Sequence, residues 1–462
     1  MLVMGRNPNG KLRFTVGIVM KTAQRERCSA IAHACAVVLV SAGLLMPALG
    51  QTTAQDASNI WNNFCATFSV SGGHFAWQQG GSYDKNDFWE NAEMIEMATD
   101  CYIAAPTTQN ENTLTALLNG FDTSNGKDWT GDKYNDDIMW AVLAHARAYL
   151  AIYNETRTVN SSMANWAINA SNNFCWVYNG GHSPNRTQPQ YDATLGGGMW
   201  WTNNSNPSTG TKNACVNGPG ALAGFYLGLV YTNAEFTAMA SNMISWESSK
   251  LITGNGELFD HCTASGVASG DYSYNAGTYV GAAGFLGAGV SAEKVAAYFT
   301  NFYDSNGILP NYNTGGGNND GFNGIFLRWV GTYEILSGNT NWYGFFDKQA
   351  EAAWAVTNAS GLSWDNWTTQ TTAGGLYSWD CSPSVVALQW AQISQNPSAP
   401  LAPLQETLTM TATNGQLQLN WLYGTLESAT NLSGPYQSVP NAISPYSAPV
   451  TSGQQFYRVR EN

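Results

Sequence analysis

The residues best suited to chemistry in this chain are two adjacent aspartates, Asp136 and Asp137, in the segment YNDDIMWAVLAHARAY. The apolar residues that follow have helical spacing, which places the pair in the first turn of a helix. Helix capping is one interpretation, because acidic side chains are stabilised beside the unpaired N–H groups at a helix start. Capping explains the position of the acids, but it does not explain the tryptophans near other helix starts of the chain.

A pair of carboxyl groups is also what glycosidases use to cleave a glycosidic bond. One group protonates the departing oxygen and the other attacks the sugar or activates water, at separations of about 5–5.5 Å in retaining enzymes and about 6.5–9.5 Å in inverting ones. Neighbouring helical residues are about 100° apart around the axis, so both groups can face one cavity at the shorter distance. Mutual repulsion raises the pKa of one partner, as a general acid requires. Asp136 and Asp137 are therefore our candidate catalytic residues, with a retaining geometry.

Twelve predicted helices of two types would position this pair. Helices that are apolar on nearly all sides are predicted near 87–104, 136–153, 217–231, 274–289, 321–336 and 383–394. Amphipathic helices are predicted near 58–70, 111–120, 161–178, 233–252, 291–304 and 341–358. Six buried helices that alternate with six half-exposed ones indicate an all-α double ring, the (α/α)6 barrel. A helical solenoid is the alternative architecture, but the sequence has no fixed short repeat of the kind that a solenoid shows.

The double ring predicts one binding mouth. Its inner helices all run in the same direction, so their N-termini meet on one face, and acids, amides and aromatics stand at those N-termini. Aromatic side chains offer apolar faces that stack on sugar rings. The candidate substrate-binding residues are Asp87, Trp89, Trp140, Trp200, Trp201, Lys212, Tyr274, Asn275, Asp320 and Asn323. Two alternatives stay open, because Lys212 also fits a structural ion pair and buried Trp or Tyr is often simply core.

Four sequence segments, taken in their order along the chain, indicate a family more specifically than composition does. They are YNDDIMWAVLAHARAY, LGGGMWWTNNSN followed by TKNACVNG, YSYNAGTYVGA and GFNGIFLRWV, and they fall within residues 58–395. Together they resemble the motifs of glycoside hydrolase family 76, the endo-α-1,6-mannanase family. The resemblance implies an (α/α)6 barrel, an α-mannan substrate, Asp136 as nucleophile and Asp137 as acid/base. The chain departs from the family pattern at Ala141, Ala276 and Asn323, where the family has a second tryptophan, a glutamine and a lysine.

Two other functions fit the same residues. The first is a transglycosylase that transfers mannan-containing glycans. The small β module predicted at the C-terminus argues against it, because it resembles modules appended to many secreted bacterial proteins. The second is a glycan-binding envelope protein that keeps the double ring without catalysis, an interpretation favoured by the departures from the family pattern.

The chain divides into four predicted parts. Residues 1–50 combine six basic residues with an apolar run that ends at Leu49, as in a signal peptide; an uncleaved membrane anchor is the alternative. The catalytic domain is assigned to 51–395, a Pro-rich linker to 396–405 and a small fibronectin-like β module, acting as a spacer or a carbohydrate binder, to 406–462. We therefore expect a secreted protein, extracellular or periplasmic.

Net charge and cysteine content limit the classes of partner and cofactor that we expect for this chain. The 462 residues carry a net charge of −13, and loss of residues 1–50 leaves 13 basic and 31 acidic residues, a net charge of −18. Such a surface repels nucleic acid and anionic membranes. Six cysteines remain after residue 50, an even number that favours disulfides in an exported protein. No His or Cys spacing indicates a metal site, so we expect no cofactor, no nucleic-acid or membrane partner, and a monomer that binds α-mannan.

Overall fold

The computed structural model describes most of the chain after residue 50. The described ranges are 2–6, 12–16, 51–180, 194–203, 210–268, 270, 272–302, 307–311, 316–339, 341–395, 408–413, 416–420, 425–440, 442, 446–449 and 455–460. The chain forms two compact units. One spans Gly50–Gln405, and the other comprises Met1–Leu49 and Glu406–Asn462.

The described part of the first unit contains twelve helices. They are α1 (Ala54–Phe68), α2 (Phe88–Ala104), α3 (Thr108–Asn125), α4 (Asn135–Thr156), α5 (Ser161–Tyr178), α6 (Ala214–Tyr231), α7 (Ala234–Lys250), α8 (Ser273–Phe285), α9 (Gly289–Phe302), α10 (Phe322–Ser337), α11 (Tyr343–Ala355) and α12 (Ser378–Gln395). The six even-numbered helices pack in sequence, and α12 packs against α2, which closes an inner ring. The odd-numbered helices pack outside it, for example α3 against α2 and α5 against α4. The predicted (α/α)6 barrel is confirmed.

The predicted helix boundaries hold within a few residues except at α12. The sequence pattern predicts this helix near 383–394, and a proline in a helix interior lacks the N–H group that the helix needs. The structure starts α12 at Ser378. The hydroxyl of Ser382 donates to the carbonyl of Trp379 at 2.9 Å, and this carbonyl is the one that Pro383 cannot reach. A side-chain donor thus lets the helix run through the proline.

Five charged side chains form a buried ionic cluster between inner helices. Arg328 of α10 donates from Nη1 to Glu93 Oε2 at 2.6 Å and from Nε to Asp100 Oδ2 at 2.7 Å. Arg147 of α4 donates to Asp100 and, at 3.2 Å, to Glu96. All five side chains are nearly inaccessible to solvent. The cluster therefore links α2, α4 and α10. Because water is excluded, each charge is stabilised by its partners of opposite charge in place of water.

Glu247 on α7 is a buried carboxyl group of a different kind. The residue is fully buried, and within the described part of the chain neither of its carboxyl oxygens has a hydrogen-bond partner. Burial raises its pKa well above the usual range. Between the pKa of the unfolded chain and that of the fold, the folded protein therefore holds a proton that the unfolded chain releases.

We expect Glu247 to make the barrel less stable as the pH rises from the pKa of an unfolded glutamate, about 4.3, toward the raised pKa of the fold. The slope for one such group is roughly 1.4 kcal/mol per pH unit between these two pKa values. Glu247→Gln removes this titration, so its free energy of unfolding should decline less with pH than that of the parent. Denaturant unfolding followed by far-UV circular dichroism measures both slopes, and Glu235→Gln, at an exposed position on the same helix, is the control. Equal slopes in the parent and Glu247→Gln would contradict the prediction.

Short strands complete the first unit. A hairpin pairs β3 (Ser69–Val70) with β4 (His74–Phe75), and a three-stranded sheet is built from β5 (Lys212–Asn213), β6 (His261–Thr263) and β7 (Gly266–Ala268). In the pairing of β5 with β6, Lys212 lies opposite Cys262. This sheet leads directly into α6 and connects the starts of two inner-ring segments.

The second unit is built from β-strands. Its strands are β1 (Leu2–Arg6), β2 (Leu12–Val16), β8 (Thr409–Thr413), β9 (Gln416–Asn420), β10 (Thr425–Ala429), β11 (Gln437–Ser438), β12 (Tyr446–Pro449) and β13 (Phe456–Arg460). They form two antiparallel sheets, in the orders β12-β9-β8 and β11-β10-β13-β1-β2. In the pairing of β8 with β9, Thr413 lies opposite Gln416.

The predicted leader and linker fall largely outside the described residues. Residues 17–50 and 396–407 are not described, so the signal peptide and the Pro-rich linker stay predictions. Within the ranges that are described, no helix combines the length and the hydropathy needed to cross a bilayer.

The predicted disulfides are absent from the structure. The six cysteines after residue 50 are all described, and none forms a disulfide bond. They lie on six different elements, namely α1, α2, α5, α6, β6 and α12. A disulfide requires two Cβ atoms about 3.5–4.5 Å apart, a condition that an even number of cysteines cannot guarantee.

Candidate active site

The first turn of α4 is held by a neighbouring loop rather than by a capping side chain. Tyr134 precedes the helix and makes no side-chain cap. The backbone N–H of Asn135 donates to the carbonyl of Trp201 at 2.8 Å, and its side-chain amide donates to the carbonyl of Trp200 at 2.7 Å. This arrangement fixes the direction in which the next two residues, Asp136 and Asp137, leave the helix.

Asp136 and Asp137 share a cavity of about 360 Å³ with residues from other inner helices. Its walls come from the segments at the N-termini of α2, α4, α8 and α10 and from the loop before α6. The lining residues are Asn86, Asp87, Trp89, Glu90, Tyr134, Asp136, Asp137, Trp140, Trp201, Tyr274, Asn318 and Phe322. The predicted convergence of acids, amides and aromatics on one mouth is therefore present.

Aromatic rings form much of the cavity wall. Tyr274 stacks on Phe322 with ring centroids 3.8 Å apart, and Trp89 meets Trp379 edge-on at 5.0 Å. These contacts hold the rings in fixed orientations. Trp201 is 37% exposed, unusually open for such a large side chain in this barrel. An exposed indole beside a polar cavity is suited to stacking on a sugar ring.

Asp136 is the less basic carboxylate of the pair. Burial raises its pKa to about 6. Hydrogen bonds from the side chains of Cys215 and Trp201 favour the charged form and limit this rise. One of its oxygens, Oδ1, is buried and has no hydrogen-bond partner among the described residues. Above about pH 6 this group is therefore an ionised carboxylate with an unused acceptor, as a nucleophile requires.

Asp137 is held in its protonated form. Burial is the largest cause that raises its pKa well above the usual range, and the negative charge of Asp136 is the next. Asp132 and Glu90 raise it further through the same repulsion. Two adjacent carboxyl groups thus have separate protonation states in one cavity, which is how paired acids take the roles of nucleophile and proton donor.

Two more carboxyl groups line the cavity. Burial raises the pKa of Asp87 to about 6, with a smaller contribution from the charge of Asp84. Burial also raises the pKa of Glu90 to about 8. The Oδ2 atom of Asp87 is buried and lacks a hydrogen-bond partner in the described part of the chain. Asp87 is therefore suited to accept a hydrogen bond from a sugar hydroxyl.

Five of the ten candidate binding residues lie in the cavity wall. They are Asp87, Trp89, Trp140, Trp201 and Tyr274. The other five, Trp200, Lys212, Asn275, Asp320 and Asn323, are buried and do not line it. For these five, substrate contact stays a prediction, and the structure shows each of them making contacts within the protein instead of lining this cavity.

Lys212 shows the reason most clearly. Its Nζ donates to the carbonyls of Gly196 and Gly197, both at 2.8 Å, and lies 4.6 Å from the centroid of the Trp200 ring. These two hydrogen bonds give Lys212 a structural role, and the ion pair that the sequence left open stays a prediction. Lys212 and Trp200 therefore support the loop that presents Trp201.

The remaining three residues also hold backbone or neighbouring side chains. Asn275 donates to Asp260 Oδ1 at 3.2 Å. Asn323 donates to the carbonyl of Pro310 at 2.8 Å and accepts a hydrogen bond from Ser273 at 2.9 Å. Asp320 accepts from the backbone N–H of Gly317 at 2.7 Å.

Sequence reasoning missed five lining residues: Asn86, Glu90, Tyr134, Asn318 and Phe322. Two of them had an available signal. Glu90 lies three residues after Asp87 on α2, a spacing that places two side chains on one helix face, and Tyr134 directly precedes the first turn of α4. Asn318 had no local signal, because it stands in a Gly/Asn-rich loop that only the closed ring brings to the cavity.

The described residues contain no group of three or more His, Cys, Asp or Glu side chains placed to hold a metal ion.

Comparisons with known proteins agree with this geometry. A profile of glycosyl hydrolase family 76 matches residues 51–399. No curated protein matches the chain in sequence. Among solved structures, one similar protein is an inactive variant of the α-1,6-mannanase GH76A of Salegentibacter sp. HEL1_6, in complex with α-1,6-mannotriose. It is 21% identical to this chain, with a TM-score of 0.62, and the match covers 74% of this chain and 99% of that protein. In that variant two consecutive aspartates are replaced by asparagine.

Two further structures share the fold. A family 76 mannosidase from Bacteroides thetaiotaomicron is 16% identical, with a TM-score of 0.57 over 74% of this chain and 98% of its own. Dfg5 from Chaetomium thermophilum, solved with glucosamine, is 14% identical, with a TM-score of 0.57 over 73% of this chain and 90% of its own. At these identities the similarity shows a common architecture.

Proposed function

Because this chain belongs to glycosyl hydrolase family 76, we propose that it is a secreted endo-α-1,6-mannanase that cleaves mannan backbones with retention of configuration. The observation that carries this proposal is the pair of adjacent carboxyl groups, Asp136 and Asp137, in one aromatic-lined cavity with separate protonation states. Family membership supplies the reaction class, and the cavity supplies the residues that perform it.

The first step uses both carboxyl groups. A mannosyl unit stacks against the aromatic wall, and the carboxylate of Asp136 attacks its anomeric carbon. The bond from that carbon to the glycosidic oxygen breaks, and Asp137 transfers its proton to the departing oxygen. The products are a free chain end and a mannosyl ester of Asp136, while Asp137 becomes a carboxylate.

The second step restores the enzyme. The Asp137 carboxylate accepts a proton from water, and the resulting hydroxide attacks the anomeric carbon and displaces Asp136. Two inversions give net retention. Asp137 can act first as an acid and then as a base because its charge is unfavourable next to Asp136 and becomes tolerable once Asp136 is esterified.

Two findings support the choice of residues and substrate. The Salegentibacter α-1,6-mannanase variant in which two consecutive aspartates are replaced is described as inactive, and it was solved with α-1,6-mannotriose. The present chain has a consecutive Asp pair in a cavity whose described lining residues include no Lys or Arg. Such a wall is suited to a neutral glycan, whose hydroxyl groups can donate to carboxylates.

Linear α-1,6-mannan should be cut into short oligosaccharides by the purified protein. The full chain is expressed in a bacterial host, and protein from the exported fraction is used, with N-terminal sequencing to locate the expected start near residue 51. Chromatography follows product sizes, and NMR of the first product should show an α-anomer, because two displacements retain configuration. If the mannan stays intact while another α-glycan is cleaved rapidly, the proposed substrate is contradicted. Products longer than the substrate would indicate transglycosylation. An unprocessed N-terminus would contradict export.

A further inference from the structure

Asn318 is a cavity residue for which the proposed reaction has no role so far. It lies in the segment 316–320 that precedes α10, and its side chain is exposed in the cavity wall. Two tryptophans hold it. Trp89 of α2 donates from Nε1 to Asn318 Oδ1 at 3.3 Å, and Trp379 of α12 donates from Nε1 to the carbonyl of Asn318 at 3.1 Å.

These contacts determine which part of Asn318 can bind a ligand. Its side-chain oxygen accepts from Trp89, so the amide nitrogen keeps two N–H donors for another partner. The titratable groups of the same wall are four carboxyl groups, from Asp87, Glu90, Asp136 and Asp137. Asp87 and Asp136, with pKa values raised to about 6, are ionised at neutral pH and can only accept hydrogen bonds. A sugar hydroxyl both donates and accepts, so a wall rich in acceptors gains from an amide donor.

A pair of buried carboxyl groups holds the segment that carries Asn318. Asp380 Oδ1 accepts from the backbone N–H of Gly316 at 2.9 Å, and Asp320 Oδ2 accepts from that of Gly317 at 2.7 Å. Asp320 and Asp380 are 1% and 2% exposed. Burial, and then a hydrogen bond between the two carboxyl groups, raise the pKa of Asp320 to about 8. At neutral pH Asp320 is therefore protonated, and the two side chains bind two consecutive N–H groups.

We propose that Asn318 is a glycan-binding residue that donates hydrogen bonds from its amide nitrogen to the bound sugar chain, and that Asp320 and Asp380 are the positioning residues that hold it at the cavity. The inference rests on the proposed function, since the site is the same. It assigns Asp320 a role behind the cavity wall, in place of the direct contact that the sequence predicted.

The test is the affinity for α-1,6-mannotriose in a chain that also carries Asp137→Asn, so that binding is measured without turnover. Asn318→Ala removes both the donor and the acceptor for Trp89, whereas Asn318→Asp keeps the acceptor, removes the amide donor and adds one carboxyl group to the acidic wall. Both should weaken binding by about 3- to 10-fold, the usual effect of one lost hydrogen bond. Asn319→Ala, whose side chain does not line the cavity, is the matched control and should bind like the parent.

The positioning role has its own pair of variants. Asp320→Asn mimics the protonated acid, since its amide can donate to Asp380 while its oxygen accepts from Gly317, and it should retain most of the affinity. Asp320→Leu removes both contacts and should bind as weakly as Asn318→Ala. Thermal unfolding checks that each variant is folded. If Asp320→Leu loses its fold, the comparison of Asp320→Asn with Asp380→Asn, both expected to bind like the parent, still tests the role.

The outcomes separate this inference from the proposed function. A parent that binds mannotriose while Asn318→Asp binds equally well would overturn the donor role of Asn318. Affinity lost in Asp320→Asn or Asp380→Asn, with the fold intact, would overturn the arrangement in which a protonated Asp320 lies against Asp380. A parent that binds no mannotriose would contradict the proposed substrate instead, and the same variants would then be compared on the α-glycan that the parent cleaves.

Discussion

Asp136→Asn and Asp137→Asn should each reduce the turnover of α-1,6-mannan drastically while the protein stays folded. Loss of the nucleophile should cost about 10⁴-fold or more in kcat, and loss of the acid/base about 10²- to 10⁴-fold on a natural substrate. Asparagine caps a helix about as well as aspartate does, so the fold should be unaffected. Asp128→Asn, at an exposed position in the loop before α4, is the control.

The two variants should also differ from each other in the presence of azide. With Asp137→Asn, an aryl α-mannoside with a good leaving group should still form the ester on Asp136, because no proton is needed for departure. Azide then displaces Asp136 and gives an α-mannosyl azide. With Asp136→Asn, azide takes the place of the missing nucleophile and should give the β-product. NMR of the products distinguishes the α- from the β-mannosyl azide. Near-normal turnover in both variants would mean that the two aspartates only cap the helix.

The pH profile of the parent should reflect the same pair. Asp136 must be ionised to attack, and its pKa is raised to about 6, so kcat/KM should fall as the pH drops below that value. Activity should fall again at high pH, where Asp137 loses the proton that it must donate. Replacing the natural substrate by an activated aryl mannoside should weaken the dependence on the high-pH limb, because the leaving group then needs no acid.

Arg328→Met should be among the most destabilising single substitutions in the barrel. Arg328 contacts Glu93 and Asp100 directly, and its removal would leave carboxyl groups buried without their counter-charge. Breaking a buried ion pair in this way costs about 3–5 kcal/mol. Denaturant unfolding followed by far-UV circular dichroism reports this loss, because the helical signal comes from the barrel.

A compensating change distinguishes unpaired charge from lost packing. Burial raises the pKa of Glu93, and the charge of Arg328 opposes this rise. Combining Arg328→Met with Glu93→Gln removes one carboxyl group that would otherwise be buried without its counter-charge, so the double variant should regain part of the stability. Arg157→Met is the control, since Arg157 is exposed and its guanidinium lies 5.8 Å from the centroid of the Tyr153 ring. This substitution should cost less than about 1 kcal/mol. A full loss that Glu93→Gln leaves unchanged would attribute the effect of Arg328→Met to packing.

The alternation of two helix types, and the barrel that follows from it, could be predicted from the sequence. Helical periodicity is a local property, since three or four consecutive turns show which faces are apolar. Asp136 and Asp137 were recognisable for the same reason, because adjacent acids at a helix start are visible without any tertiary contact. Trp89, Trp140, Trp201 and Tyr274 follow from their positions near helix starts that meet on one face.

Only the tertiary structure decided which neighbours of these residues face the cavity. Trp200 and Trp201 are adjacent and chemically identical, yet Trp200 is 5% exposed beneath Lys212 and Trp201 is 37% exposed at the cavity. The difference comes from the loop that crosses the start of α4, whose path depends on Lys212 reaching the carbonyls of Gly196 and Gly197. No local pattern encodes that contact.

The same limit applies to the cysteines and to Asn318. An even number of cysteines says nothing of the distance between any two of them, and here they lie on six separate elements. Asn318 reaches the cavity because α12 closes the ring against α2, which brings Trp379 and Trp89 to either side of its loop. The contact with Trp89 joins residues 229 positions apart, and the contact with Trp379 joins residues 61 positions apart. Local patterns in the sequence therefore determine the helices and the acidic pair, whereas the identity of the cavity wall depends on how the ring closes.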